Sequence, residues 1–187
     1  MLLLALTGAA NAPRVRPGPW AQPVLESKLD NFYRVSDDLY RSEQPGAADI
    51  PDLKALGIRT VFSLRHYHSD TPAFEQAGIA ALHFKMDAGS VTIPELIAVL
   101  RQIDAAPKPL LVHCWHGSDR TGFVVAGYRI VFMNWSPAEA VEELRLGGFG
   151  HHETTFPNIA KTLLEMDVAA VCTAVHAGIS PATATPR

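Results

Sequence analysis

The chain is 187 residues long, 48% hydrophobic and 19% charged, with a formal net charge of −3. This length and composition suit one globular domain with a sizeable core, and the slight acidic excess leaves no basic footprint for a nucleic acid or an anionic membrane surface. Its only two cysteines, Cys114 and Cys172, provide no disulfide framework.

Residues 1–12, MLLLALTGAANA, are a short apolar run followed by small residues, which reads as the later part of a secretory signal peptide. No Lys or Arg precedes the run, so the true start is expected upstream. The run is too short to span a bilayer, and no stable membrane insertion is expected. Export, to a periplasm, is the expectation; a disordered cytoplasmic N-terminus is the alternative. Residues 13–23 hold four prolines and a glycine and read as a linker. The folded domain is expected over 24–171, with 172–187 a frayed tail.

Short strands are expected at 31–35 and 39–42, around a Ser36-Asp37-Asp38 turn. A helix over 45–56 places Ile50, Leu53 and Leu56 on one face and ends at Gly57. The β-branched run 58–64 is a buried strand, 65–70 a polar loop, 72–77 a short helix stopped by Gly78, and 80–85 another strand. After a loop at 87–90, Thr92 caps a helix over 94–105 with Leu96, Leu100 and Ile103 on one face. Pro109 to His113 is a short buried strand, and 121–133 is a helix apolar nearly all round, hence central. Ser136-Pro137-Ala138-Glu139 is a capping box opening a helix to Leu146. A single amphipathic helix from Phe156 or Pro157 to Val171 closes the domain. Strands alternating with helices imply an α/β fold, a small, largely parallel central sheet flanked by helices on both faces. Ligands bind such sheets at the strand C-terminal ends, where Arg65, Asp87 and Cys114 all fall.

The stretch His113-Cys114-Trp115-His116-Gly117-Ser118-Asp119-Arg120-Thr121-Gly122 lies between the last strand and the apolar helix. A loop there is an anion cradle: unpaired amides and the positive end of the helix dipole favour phosphate-like oxygens. Arg120 adds a planar fork for two oxygens. The same field favours thiolate over thiol at Cys114 and makes it a nucleophile. Taking His113, Cys114 and His116 as metal ligands would require a further partner, and the remaining histidines form no clear pair. Cys172 reads as a small apolar residue near a helix end, or alternatively as a resolving thiol for oxidised Cys114.

The loop resembles the signature loop of the cysteine-dependent protein tyrosine and dual-specificity phosphatases: His-Cys, five residues, then Arg and a hydroxyl residue. Asn31-Phe32-Tyr33, Leu39 to Pro45, Tyr128 to Val131 and Gly147 to Gly150 extend the likeness toward the compact atypical dual-specificity phosphatases and the bacterial exported tyrosine phosphatases. The resemblance implies a metal-independent phosphomonoester hydrolase with no cofactor and a cysteinyl-phosphate intermediate, acting on phosphotyrosine proteins. Phosphoserine and phosphothreonine are further candidate substrates. A small phosphorylated molecule such as an inositol phosphate is the alternative substrate, and a phospho-ligand binding module the non-enzyme alternative. Sulfur or arsenate chemistry on a similar loop is a competing class, disfavoured by Asp87 and by the Arg-Thr-Gly start of the helix. Cys114, Arg120 and Asp87 are expected to be catalytic. Trp115, His116, Gly117, Ser118, Asp119, Thr121 and Gly122 line the phosphate, and His113 supports Cys114. The family's general acid is a loop aspartate; Asp87 matches best, and Asp119, inside the signature loop, is its rival. Trp115 and His116 replace the lysines found in phosphoinositide-directed relatives, which disfavours a highly charged inositol phosphate.

Overall fold

The computed structural model describes residues 16–67 and 71–177. The signal-peptide reading of 1–12 and the part of the expected tail after residue 177 lie outside the described residues. Six strands form one sheet: β1 Gln22–Pro23, β2 Tyr33–Arg34, β3 Leu39–Ser42, β4 Thr60–Ser63, β5 Ala80–His83 and β6 Leu110–His113. Their spatial order is β1-β2-β3-β6-β4-β5. The pairs β3–β6, β6–β4 and β4–β5 are parallel, whereas β1 and β2 add an antiparallel edge. The helices are α1 Ile50–Ala55, α2 Thr71–Gln76, α3 Ile93–Ala105, α4 Asp119–Met133, α5 Pro137–Leu146, α6 Pro157–Glu165 and α7 Val168–Ala177.

Alternation along the central strands explains why both sheet faces are covered. Leu39, Phe62, Leu110 and Val112 enter the larger core, with the buried sides of α3 to α7. Tyr40, Val61 and Leu111, one residue out of phase, enter the smaller core with Leu53 of α1 and Phe74 of α2. α4 is buried over most of its length, as its all-round apolar pattern implies. Register then places the site: Ser42 and Ser63 both align with His113, and Ser63 with His83. The segments leaving β3, β4, β5 and β6 therefore emerge at one edge.

Three boundaries depart from the sequence-based expectation. α1 begins at Ile50, after a 3-10 turn at Ala47–Asp49, because Pro51 suits only the first helical turn. The closing helix is two helices. At Met166 the backbone turns extended (ψ 143°), and Asp167 Oδ1 then accepts from Ala170 N at 3.0 Å, starting α7. α7 runs to Ala177 with Val171 and Val175 buried, so packing continues through the first part of the expected tail. The proline-rich segment is also tied down at its end. β1 is an edge strand, which proline tolerates, and Ala21 N donates to Glu143 Oε1 at 2.6 Å.

Candidate active site

Between β6 and α4 the chain makes a tight loop with three successive carbonyls held from outside. Gln44 N donates to Trp115 O at 2.9 Å. Asn31 Nδ2 donates to His116 O at 2.7 Å and also to Phe149 O at 2.9 Å. Arg41 Nη2 donates to Gly117 O at 2.6 Å. With three successive carbonyls turned toward the β2–β3 side, the intervening N–H groups face the other way. Among the described residues no acceptor meets the amides of Trp115, His116, Gly117 or Ser118. This is the nest geometry that cradles an oxyanion at a helix N-terminus. Gly117 is obligatory there: its φ is +70°, and a Cβ would lie 2.3 Å from Ser42 O.

The loop opens into a cleft of about 300 Å³ lined by Arg65, Met86, Asp87, Trp115, Arg120 and Phe156, among others. Arg120 Nε is buried without an acceptor among the described residues, and Nη1 reaches only Leu64 O at 3.5 Å, so the guanidinium has capacity for an anion. Asp87, exposed, lines the same cleft. It caps a 3-10 turn, Ala88–Ser90, through Oδ1, which accepts from Gly89 N at 3.0 Å. Asn158 Nδ2 secures that turn to α6 by donating to Ala88 O at 2.9 Å. Trp115 is 57% exposed, with the Arg65 guanidinium 4.3 Å from its ring centre. Cys114 itself is only 3% exposed.

The remaining predicted residues divide by environment. Thr121 is fully buried on the first turn of α4, and its hydroxyl has no partner among the described residues. His113 is buried, with Nδ1 3.0 Å from Cys114 O. Ser118 is buried, and its hydroxyl reaches His116 O at 3.4 Å. A Cβ on Gly122 would strike Leu144 Cδ1 at 2.4 Å, so glycine there sets the close approach of α4 to α5. His116 lies at the surface between the rings of Trp115 and His152. Asp119 does not present a free carboxylate to the cleft. Oδ1 is 2.8 Å from His151 Nδ1 and accepts from His152 N at 2.9 Å, while Oδ2 is 2.8 Å from His152 Nδ1. Burial would raise its pKa, but the bonds from His151 and His152 outweigh burial and hold it at about 2. Both its oxygens are thus engaged by these two residues and not turned to the cleft. Among the described residues no group of three or more His, Cys, Asp or Glu side chains could hold a metal ion.

Sequence reasoning did not single out Asn31, Arg41, His151 and His152 as parts of this site. Arg41 did carry a signal, a lone cation in a strand whose other residues suit burial. Asn31 adopts a positive φ, +52°, which is uncommon outside glycine.

A family model for tyrosine phosphatases matches residues 28–165. The chain belongs to the tyrosine phosphatase family. Over 147 residues it is 40% identical to the dual specificity protein phosphatase TpbA of Pseudomonas aeruginosa, a match covering 78% of this chain and 66% of that protein. A crystal structure of TpbA matches with a TM-score of 0.77 at 36% identity, over 86% of this chain and 99% of that one. A second crystal structure of TpbA is a complex with phosphotyrosine. Inositol diphosphatase DSP2 of Oryza sativa is 35% identical over 122 residues, 59% of each protein. This chain thus spans about two thirds of TpbA and less of the inositol diphosphatase.

Proposed function

We propose that the protein is a cysteine-dependent phosphatase that hydrolyses phosphotyrosine in proteins. The observation that carries this reading is the loop itself: outward-held carbonyls and unpaired amides ring the anion position, with Arg120 and Asp87 in the same cleft. In the first step the Cys114 thiolate attacks phosphorus. The S–P bond forms as the bond to the tyrosyl oxygen breaks, and Asp87 gives its proton to that oxygen. In the second step water attacks the cysteinyl phosphate while Asp87 takes a proton from it. The S–P bond breaks, inorganic phosphate leaves and the thiolate returns. The loop amides and Arg120 hold the equatorial oxygens in both steps, where charge gathers. The unpartnered Thr121 hydroxyl at the helix start is suited to hydrogen-bond the departing sulfur.

Phosphotyrosine is favoured by an aromatic-walled cleft, with Trp115, Phe156 and Tyr67 along it, and by the phosphotyrosine complex of TpbA. A diphosphorylated small molecule is the second reading, favoured by Arg65 as another cation in the cleft and by the inositol diphosphatase relative. Cys114→Ser should abolish hydrolysis of a phosphotyrosine peptide while inorganic phosphate still binds the loop, as followed by calorimetry. Turnover like the wild type in that variant would end the assignment. Running the wild type on phosphotyrosine, phosphoserine and phosphothreonine peptides beside an inositol diphosphate ranks the substrates. Faster turnover of the diphosphate would favour the second reading. Export to a periplasm is proposed on the apolar run at 2–6 and the small residues after it. Residues 1–12, with any upstream extension, should carry a reporter that is active only outside the cytoplasm. Retention inside would overturn export.

A further inference from the structure

The turn before β1 falls in the stretch expected as a linker, yet it closes on itself and on the domain. Trp20 N donates to Pro17 O at 3.1 Å, and Gln22 Nε2 donates to the carbonyls of Pro17, Gly18 and Trp20 at 3.3, 3.2 and 2.7 Å. The bond from Ala21 N to Glu143 and the pairing of β1 with β2 then fix the turn against α5 and the sheet edge. So held, the turn delivers Arg16 to the segment after α5. Arg16 Nη1 and Nη2 both donate to Gly147 O, at 2.7 and 2.6 Å. Its Cζ also lies 4.7 Å from the centre of the Tyr33 ring and 5.3 Å from that of Phe149, two rings packed edge to face at 4.9 Å.

What Arg16 grips is the back of the catalytic loop. A Cβ on Gly147 would lie 2.3 Å from Phe149 Cε2, so the Phe149 ring folds against the very residue whose carbonyl Arg16 holds. Phe149 is 2% exposed, and the Arg41 guanidinium lies 3.7 Å from its ring centre. That guanidinium donates to Gly117 O, while Phe149 O accepts from the same Asn31 Nδ2 that donates to His116 O. Two of the loop carbonyls turned away from the anion position are thus bonded by groups that themselves rest on Phe149. Each carbonyl shares a rigid peptide plane with the next amide, so holding His116 O and Gly117 O aims the N–H groups of Gly117 and Ser118. We propose that Arg16 is a positioning residue for the hydrolysis, a role that rests on the phosphatase reading for its chemistry and on these contacts for its geometry: it locks Gly147 and Phe149 and, through Asn31 and Arg41, keeps those two amides facing the phosphoryl oxygens. Arg16 acts from a distance. It lines not the cleft but a separate cavity of about 540 Å³, with Trp20, Tyr33, Glu142 and Gly148.

Calorimetry of tungstate, a tetrahedral oxyanion, on the full chain reads the cradle without turnover. Arg16→Ala should bind it about tenfold more weakly and lose kcat/KM on a phosphotyrosine peptide by a like factor. Leaving-group dependence should stay as in the wild type, since Asp87 belongs to a separate turn. Guanidinium at millimolar concentration, entering the space Arg16 leaves, should restore part of both losses and leave the wild type unchanged. Arg16→Lys keeps the charge without the planar fork and should fall between. Arg101→Ala controls for stability alone. Arg101 makes a similar forked bond, Nε and Nη2 to Ala174 O, where α3 meets α7, and its loss should leave tungstate binding as it is. Wild-type tungstate affinity in Arg16→Ala would overturn the proposal, as would an equal loss in Arg101→Ala. If Arg16→Ala does not fold, Arg16→Lys decides: affinity equal to the wild type would overturn it. A wild type that binds tungstate yet hydrolyses no phosphate ester would retire the phosphatase reading, and the tungstate constants alone would then decide for or against the Arg16 clamp.

Discussion

The two acidic residues of the site have opposite assignments because their neighbours differ. Asp119 accepts from His151 and His152 and is held ionised at a pKa of about 2, whereas Asp87 spans a short turn and remains exposed in the cleft. A proton donor matters most when the leaving oxygen is strongly basic. Asp87→Asn should therefore cost about 10² to 10⁴-fold in kcat on phosphotyrosine, and much less on an ester of a strongly acidic phenol. Asp119→Asn should leave the leaving-group dependence as it is. If the dependence followed Asp119 instead, the acid would be misassigned. That Arg120 and Asp87 would come together was legible in the sequence because a contiguous loop and a strand end announce them. The partners that shape the loop were not. Arg41 is 76 residues from Gly117 and Asn31 is 85 from His116, and no local spacing reports such pairings.

At the scale of elements, the bonds from Asp119 to His151 and His152 tie the start of α4 to the segment between α5 and α6. A carboxyl pKa depressed from 3.8 to about 2 contributes stability that is fully present above the ordinary value and lost as pH falls toward 2. The contribution is at most about 2 kcal/mol. Urea unfolding at pH 6, 4 and 2.5 should show Asp119→Asn less stable than wild type at the two higher values, with the gap closing at the lowest. A gap of constant size would mean that the bonds do not depend on the charge. Helix starts were legible where the capping pattern is local: Thr92 caps α3 and Ser136 with Glu139 forms a capping box, as expected, and Thr92 proves to form a box of its own with Glu95. The break between α6 and α7 was not, because Met166 interrupts the helix without a glycine or proline and Asp167 is its only marker.

For the molecule as a whole, the alternation of strands and helices was enough to expect a mainly parallel sheet covered on both faces, and the order β3-β6-β4-β5 bears that out. Strand order itself was beyond local patterning, since β6 enters between β3 and β4 from far along the chain. So was β1, two residues long in a stretch read as a linker, although the β2–β3 turn it borders was expected. The insertion of β6 also sets when the loop takes its shape. The donors that turn the loop carbonyls outward, Asn31, Arg41 and Gln44, belong to a segment made long before Cys114 in synthesis, and they reach it only once β3 has paired with β6. Contacts of such long sequence separation close late and slowly. A chain still emerging, or not yet collapsed, therefore holds the 113–122 loop without the bonds that turn its carbonyls outward, and the ring of free amides takes shape only as folding finishes.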